Sequence, residues 1–252
     1  MDQKQLKTSW QTRVLIGIIA FLMLFSTVSV YALIVLSNKN ATSAEEVSSK
    51  EDQEFQEKLS AKQSELDNIA NELSGKHYDV LNGYRSKVKS YNAKSVDNAG
   101  LQHFDLKEGD GAEIKEDSSY YSYYIGWCAD ESIFDSSYDN SASPSKLKAP
   151  IAYVHGETSF VAGWESGVVG MKTGGVREID IPGALAYGDK QKICGGTNSP
   201  LKFIVYVVDP GEEYKKVLNE YNDLLQQYYM SYYSKNQDLL KDADSSEGAT
   251  GK

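Results

Sequence analysis

The chain has three histidines and two cysteines in 252 residues, and neither type is grouped. No CxxC occurs and His155 stands alone. Protein metal centres take three or four such ligands at short spacings, so no metal site and no cofactor is expected. Basic residues are also in deficit, 26 Lys and Arg against 36 Asp and Glu, for a net charge of -10. Neutralising phosphates takes clustered Lys and Arg, which argues against nucleic acid as a partner. The acid balance reads as solubility for an exported domain.

A third lack is local. Val14–Leu36 carries no charge over 23 residues, and about 20 apolar residues suffice to cross the hydrocarbon of a bilayer as a helix. Secretory signal peptides have shorter apolar cores, about 7 to 15 residues. Cleavage near "ATSA" (Ala41–Ala44) stands as the alternative to a retained span. Lys4, Lys7 and Arg13 precede the run with only Asp2 opposing them, while Lys39 is followed by Glu45, Glu46, Glu51 and Asp52. The basic flank stays inside. The expectation is a single-pass plasma-membrane protein: residues 1–13 cytoplasmic, 14–36 spanning, the remainder extracytoplasmic.

Beyond the span, residues 37–100 are polar, and between Ala44 and Asn92 they lack proline. Phe55, Leu59, Leu66, Ile69, Leu73, Val80, Leu81, Tyr84, Val88 and Tyr91 recur at three- and four-residue intervals, the spacing of a helix with one apolar stripe. Such a stalk of about 45 residues, with Gly75 as its candidate break, would reach roughly 70 Å. Lys62 and Lys76 interrupt the stripe, so a weak homodimer and packing on another helix of the same chain stand as alternatives to a stable coiled coil. Residues 210–240 form a second amphipathic helix: "DPGEEY" ends a strand and supplies Glu212 and Glu213 to a first turn. Residues 241–252 are small, polar and read as a disordered tail.

Between the helices, residues 101–209 change character. "SSYYSYYIGW", "GVREIDI" and "LKFIVYVV" alternate or run apolar over strand lengths, and "GWESGVVGM" has the spacing of a short helix. Short strands around one helix make an α+β domain. The sequence leaves open whether Cys128 and Cys194 are bridged or are two separate thiols.

Five stretches in order, "DLKEGDGAEIKEDSSYYSYYIGW", "SIFDSS", "FVAGWESGVVGMKTGGVREIDIP", "LAYG" and "SPLKFIVYVVD", resemble the FKBP-type peptidyl-prolyl cis/trans isomerases. The resemblance implies a curved antiparallel half-barrel sheet of about five strands over a short helix at Glu165–Met171, flanked by the helices above. It also implies an apolar pocket with Trp164 as floor, walls from Tyr124, Phe134, Phe160, Val161, Tyr187 and Phe203, and Asp135 as the acid of the "FDSS" motif. The Val161 N–H and the Tyr187 hydroxyl are the implied donors to substrate carbonyls. Ile151 stands where many family members have a pocket phenylalanine. Tyr120, Tyr121 and Tyr123 read as strand surface and cross-strand packing.

The implied partners are proline-containing polypeptides, and the implied role is folding of exported proteins. The alternative is a non-catalytic FKBP-fold chaperone or peptide-binding module on the cell surface. A pocket without a nucleophile suits the reaction. Rotation about a peptide bond meets about 18 to 20 kcal/mol because twisting destroys amide resonance, yet before proline the isomers differ by only about 0.5 to 1 kcal/mol. No covalent bond has to change, so a dry cavity that favours the twisted amide is enough.

Overall fold

The computed structural model describes residues 44–235. The expected span at 14–36, the cytoplasmic residues 1–13 and the tail at 241–252 lie outside the described residues. Among the described residues no helix is long and apolar enough to cross a membrane.

The polar stretch folds as one helix, α1 (Ala44–Gly83), 40 residues and about 60 Å long at 1.5 Å each. It passes through Gly75 without a break and stops at Gly83, short of Asn92. A 3-10 turn (Arg85–Lys87) and a short helix α2 (Ala93–Ala99) follow, the latter capped by the Asn92 side chain, which accepts the Ser95 N–H. The chain divides into two compact units, one of them Ser74–Asp209 and the other containing residues 44–73 and 210–235.

In the second unit α1 pairs with α4 (Gly211–Lys235). Lys62 reaches Glu220 at 2.6 Å, and the Phe55 and Tyr228 rings meet edge-on with centroids 6.0 Å apart. Leu59, Leu66, Ala70 and Leu73 on α1, with Tyr214, Val217 and Leu225 on α4, are buried. The stripe on α1 thus has a partner helix within the chain.

The unit Ser74–Asp209 is built on an antiparallel sheet. Its strands are β1 (Gln102–Lys107), β2 (Tyr120–Trp127), β3 (Ile133–Ser136), β6 (Ile151–Tyr153), β7 (Val176–Ile181) and β8 (Leu201–Val208), in the order β1-β7-β8-β2-β3, with β6 also pairing β2. A separate hairpin, β4 (Tyr138–Asp139) with β5 (Lys146–Leu147), fills the loop between β3 and β6. Strand side chains alternate between faces, and each face has its own core. The inner face gathers Tyr120, Ile179, Ile181, Leu201, Phe203, Val205 and Val207 with Trp164, Val168 and Met171. The outer face gathers Tyr123, Ile125, Trp127, Val176, Ile204, Tyr206 and Val208 with Tyr138, Leu147 and Leu81.

The helix of the inner face, α3, spans Ala162–Val168, three residues ahead of the expected Glu165–Met171. The start is set by Val161, whose extended backbone (φ -67°, ψ 140°) places its carbonyl to accept the Trp164 N–H at 2.8 Å. The end is set by Gly170, whose φ of 82° suits glycine and ends a helix. Two glycines let α3 sit close to β7. A Cβ at Gly163 would strike the Ile181 side chain, and one at Gly167 would come within 2.5 Å of Ile179 Cγ2. Arg177, buried on β7, donates to the Gly167 and Val169 carbonyls at 2.9 Å each, closing the helix C-terminus, and holds Asp105 at 2.7 Å.

Candidate functional site

Between α3 and the inner face of the sheet lies an open cavity of about 500 Å³. Its floor is Trp164, near the start of α3. The indole edge is packed by Phe203 at 5.0 Å, Phe160 at 5.5 Å and Tyr124 at 5.5 Å, all between 75° and 87° to its plane. Phe134 stands edge-on to Phe203 at 5.5 Å. Edge-to-face contacts are a favoured arrangement of aromatic rings, and here they line a hollow. Gly126 on β2 makes room for that wall: a Cβ there would meet the Phe203 ring at 2.6 Å and Phe134 Cζ at 2.8 Å.

The polar groups are few. The Tyr124 hydroxyl donates to Asp135 Oδ2 at 2.5 Å, and Asp135 Oδ1 accepts the N–H of Ser136 at 2.8 Å. Burial, then the Asp135 charge, raises the Tyr124 phenol above its ordinary value, and the same two causes in the same order raise Tyr187. Both hydroxyls therefore keep their protons and stay donors at neutral pH. Among the described residues the Tyr187 hydroxyl and the Val161 N–H make no hydrogen bond. Two donors without partners thus belong to the lining of an open, largely aromatic hollow, where a carbonyl can meet them.

Tyr124, Phe134, Asp135, Phe160, Val161, Trp164, Tyr187 and Phe203 all line this one cavity. Ile151 does not. It lies on β6 opposite Ser122, half-buried against the inner core. Ser159, Ala162, Ala186, Lys190 and Gln191 line the cavity without having been singled out in the sequence. Tyr120 pairs across the strands with Tyr153, as expected of cross-strand packing, but it is buried and not at the surface, and it accepts the Trp164 indole N–H at 2.9 Å. It also stacks on Tyr153 at 5.0 Å, which meets Phe160 at 5.5 Å, closing a ring of aromatics around the floor. Period-two counting carried that signal: Tyr120 and Tyr124 are four apart on one strand and must share a face. Tyr123, also expected at the surface, is fully buried on the other face.

Cys128, just past the end of β2, is disulfide-bonded to Cys194 with a Cα–Cα distance of 5.4 Å. The bridge anchors the 188–199 loop that supplies Lys190 and Gln191 to the cavity. Among the described residues no cluster of His, Cys, Asp or Glu could hold a metal ion.

A six-stranded antiparallel sheet closing on a short helix over a largely aromatic hollow defines a class of α+β protein with an open cavity between sheet and helix. The comparisons make the class specific. The model of the family described as FKBP-type peptidyl-prolyl cis-trans isomerase matches residues 111–208. The FK506-binding protein of Neisseria meningitidis serogroup A is 31% identical over 105 residues, covering 42% of this chain and 88% of its own. That of Streptomyces anulatus is 33% identical over 112 residues, 44% of this chain and 84% of its own. The chloroplastic peptidyl-prolyl cis-trans isomerase FKBP13 of Arabidopsis thaliana is 32% identical over 108 residues, 40% of this chain and 49% of its own. The chain belongs to the FKBP-type peptidyl-prolyl cis-trans isomerases and is an enzyme of that kind.

Proposed function

We propose that the enzyme works outside the plasma membrane, anchored by Val14–Leu36, and speeds the folding of exported proteins by isomerising their prolyl bonds in the Trp164 cavity. In this reading the pyrrolidine ring sits on the indole, and Phe134 and Phe203 wall one side. The Val161 N–H and the Tyr187 hydroxyl take substrate carbonyls. Asp135, held on β3 by the Tyr124 hydroxyl and the Ser136 N–H, lies where the twisted amide is held. Water excluded by the rings favours the rotated amide, whose charge separation is smaller, and donors set for that geometry bind it better than the planar ground state.

The observation that carries the location is the 23-residue uncharged run with Lys4, Lys7 and Arg13 ahead of it. The Cys128–Cys194 bridge agrees with it, because disulfides persist on the oxidising side of a membrane. The test has two parts. Isomerisation of an X-Pro peptide by the full chain is expected to fall about 10- to 100-fold in kcat/KM on Phe134→Ala, the range for losing one positioned wall of a binding site. On intact cells, a membrane-impermeant amine reagent is expected to label the lysines after residue 37. Labelling only after lysis, or free cysteines in the native protein, would place the enzyme inside and end the proposal.

A further inference from the structure

We propose that the cavity carries a carboxylate-binding subsite at its rim, made by Lys190 and Gln191, so that the enzyme prefers substrates with an acidic residue flanking the proline. The inference rests on the prolyl-binding reading above and adds a substrate class to it.

The cavity wall holds one side-chain anion and one side-chain cation, Asp135 and Lys190. The anion is committed, since both its oxygens accept hydrogen bonds from within the domain, one from Tyr124 and one from Ser136. The cation is not. Lys62, Lys172, Lys202 and Lys215 each reach a carboxylate at 2.6 to 3.1 Å, whereas no hydrogen bond or ion pair among the described residues engages Lys190 or Gln191. An ammonium and an amide NH2 group on the same cavity rim can each donate to a carboxylate, which accepts several charge-assisted bonds at once. The protein's net charge of -10 repels anions in general, so any preference for them has to come from a local feature of this kind.

The two side chains stand on an anchored arch. The Asn198 N–H donates to the Gly188 carbonyl at 2.6 Å, and the Gly188 N–H to the Gly183 carbonyl at 3.1 Å. Ile193 and Gly196 exchange bonds of 2.8 and 3.1 Å, and Cys194 is bonded to Cys128. Residues 189–192 are therefore strung between fixed points, which limits the backbone freedom that binding has to remove. Asp189 and Lys192 belong to the same arch but not to the wall.

The test uses the full chain and four proline peptides followed by exchange NMR. Two carry Glu or Gln immediately before the proline and two carry Glu or Gln immediately after it. The readout is the Glu:Gln ratio of kcat/KM at each position, taken within each protein variant so that changes in folded fraction cancel. The wild type is expected to favour Glu by about 2- to 5-fold at one position, the upper part of the range for an exposed charge pair. Lys190→Gln should bring the ratio to about 1 and Lys190→Glu should take it below 1, while Lys192→Gln keeps the wild-type preference. A wild-type ratio of 1 at both positions overturns the subsite. A preference that survives Lys190→Gln, or is lost equally in Lys192→Gln, also overturns it by assigning the effect to another group or to the loop's overall charge. Failure of the prolyl-binding reading looks different, since none of the four peptides would then be accelerated.

Discussion

The two faces of the sheet are made from neighbouring residues of the same strands and have opposite fates. Tyr123 and Tyr124 adjoin on β2, and Phe203 and Ile204 adjoin on β8. On the outer face the chain supplies its own cover. Leu81 from the end of α1 is fully buried there, the His77 ring nitrogen Nδ1 lies 2.9 Å from the Tyr206 hydroxyl, and Tyr78 meets Tyr138 edge-on at 5.8 Å. On the inner face Tyr124, Phe134, Phe160 and Phe203 stand around Trp164 and enclose about 500 Å³. Both faces are rich in aromatics, so aromatic content does not make the site. What makes it is that α3 touches the sheet at glycines along β7 and leaves the ground beside β2 and β3 unfilled. Three changes test how far the two faces differ.

The largest expected effect is at the rim of the hollow. The Cys128–Cys194 bridge closes a separation of 66 residues, for which the chain-entropy account of cross-links gives about 4 kcal/mol. Replacing both cysteines by serine should lower the urea-unfolding free energy by about that amount, and adding reductant to the wild type should reproduce the loss. A loss below about 1 kcal/mol would mean that the Gly188–Asn198 and Ile193–Gly196 backbone bonds hold the rim unaided.

Next comes the covered face. Leu81→Ala empties a fully buried site under the sheet and should cost about 3 kcal/mol, within the usual range for such a truncation. Because Leu81 belongs to the outer core and touches none of the cavity's lining, kcat/KM per folded molecule should be unchanged. A tenfold fall in kcat/KM with the fold intact would show that the faces are coupled through the strands they share.

Legibility followed the same division. The alternation in "SSYYSYYIGW" and "LKFIVYVV" appears as β2 and β8, since a strand with both faces covered has to be apolar on both sides. Eight of the nine pocket residues named from the sequence meet in the cavity: Tyr124, Phe134, Asp135, Trp164 and Phe203 stand on strands or on α3, and Phe160, Val161 and Tyr187 on the segments just before α3 and after β7. Ile151 is not among the lining residues, and Lys190 and Gln191, not singled out in the sequence, stand on a loop whose path no periodicity encodes. The apolar stripe of the stalk was legible, but its partners were not: a stripe reports that something covers it and does not say what. Residues 74–83 cover the sheet's own outer face, while residues 44–73 pair with α4.

The smallest effect sharpens the comparison by pH. His77 lies 5.4 Å from the Tyr206 ring and 5.7 Å from the Tyr123 ring, and burial, followed by the nearby Lys76 charge, lowers its pKa below the ordinary 6.5. The folded state therefore holds this ring neutral where the unfolded chain would already bind a proton. With the unfolded state binding more protons, stability rises with pH across that interval. The contribution is fully present above about pH 6.5 and is lost as pH falls through the folded-state value. Thermal unfolding at pH 7.5 and 5.5 should show a larger drop in Tm for the wild type than for His77→Gln, which cannot titrate, and the shortfall should be smaller than either effect above. The isomerase kcat/KM of folded protein should not follow this difference, because His77 faces the covered side. Equal drops in the two proteins would mean that the end of α1 stays on the sheet with His77 charged, and that this side chain adds no pH dependence to the cover.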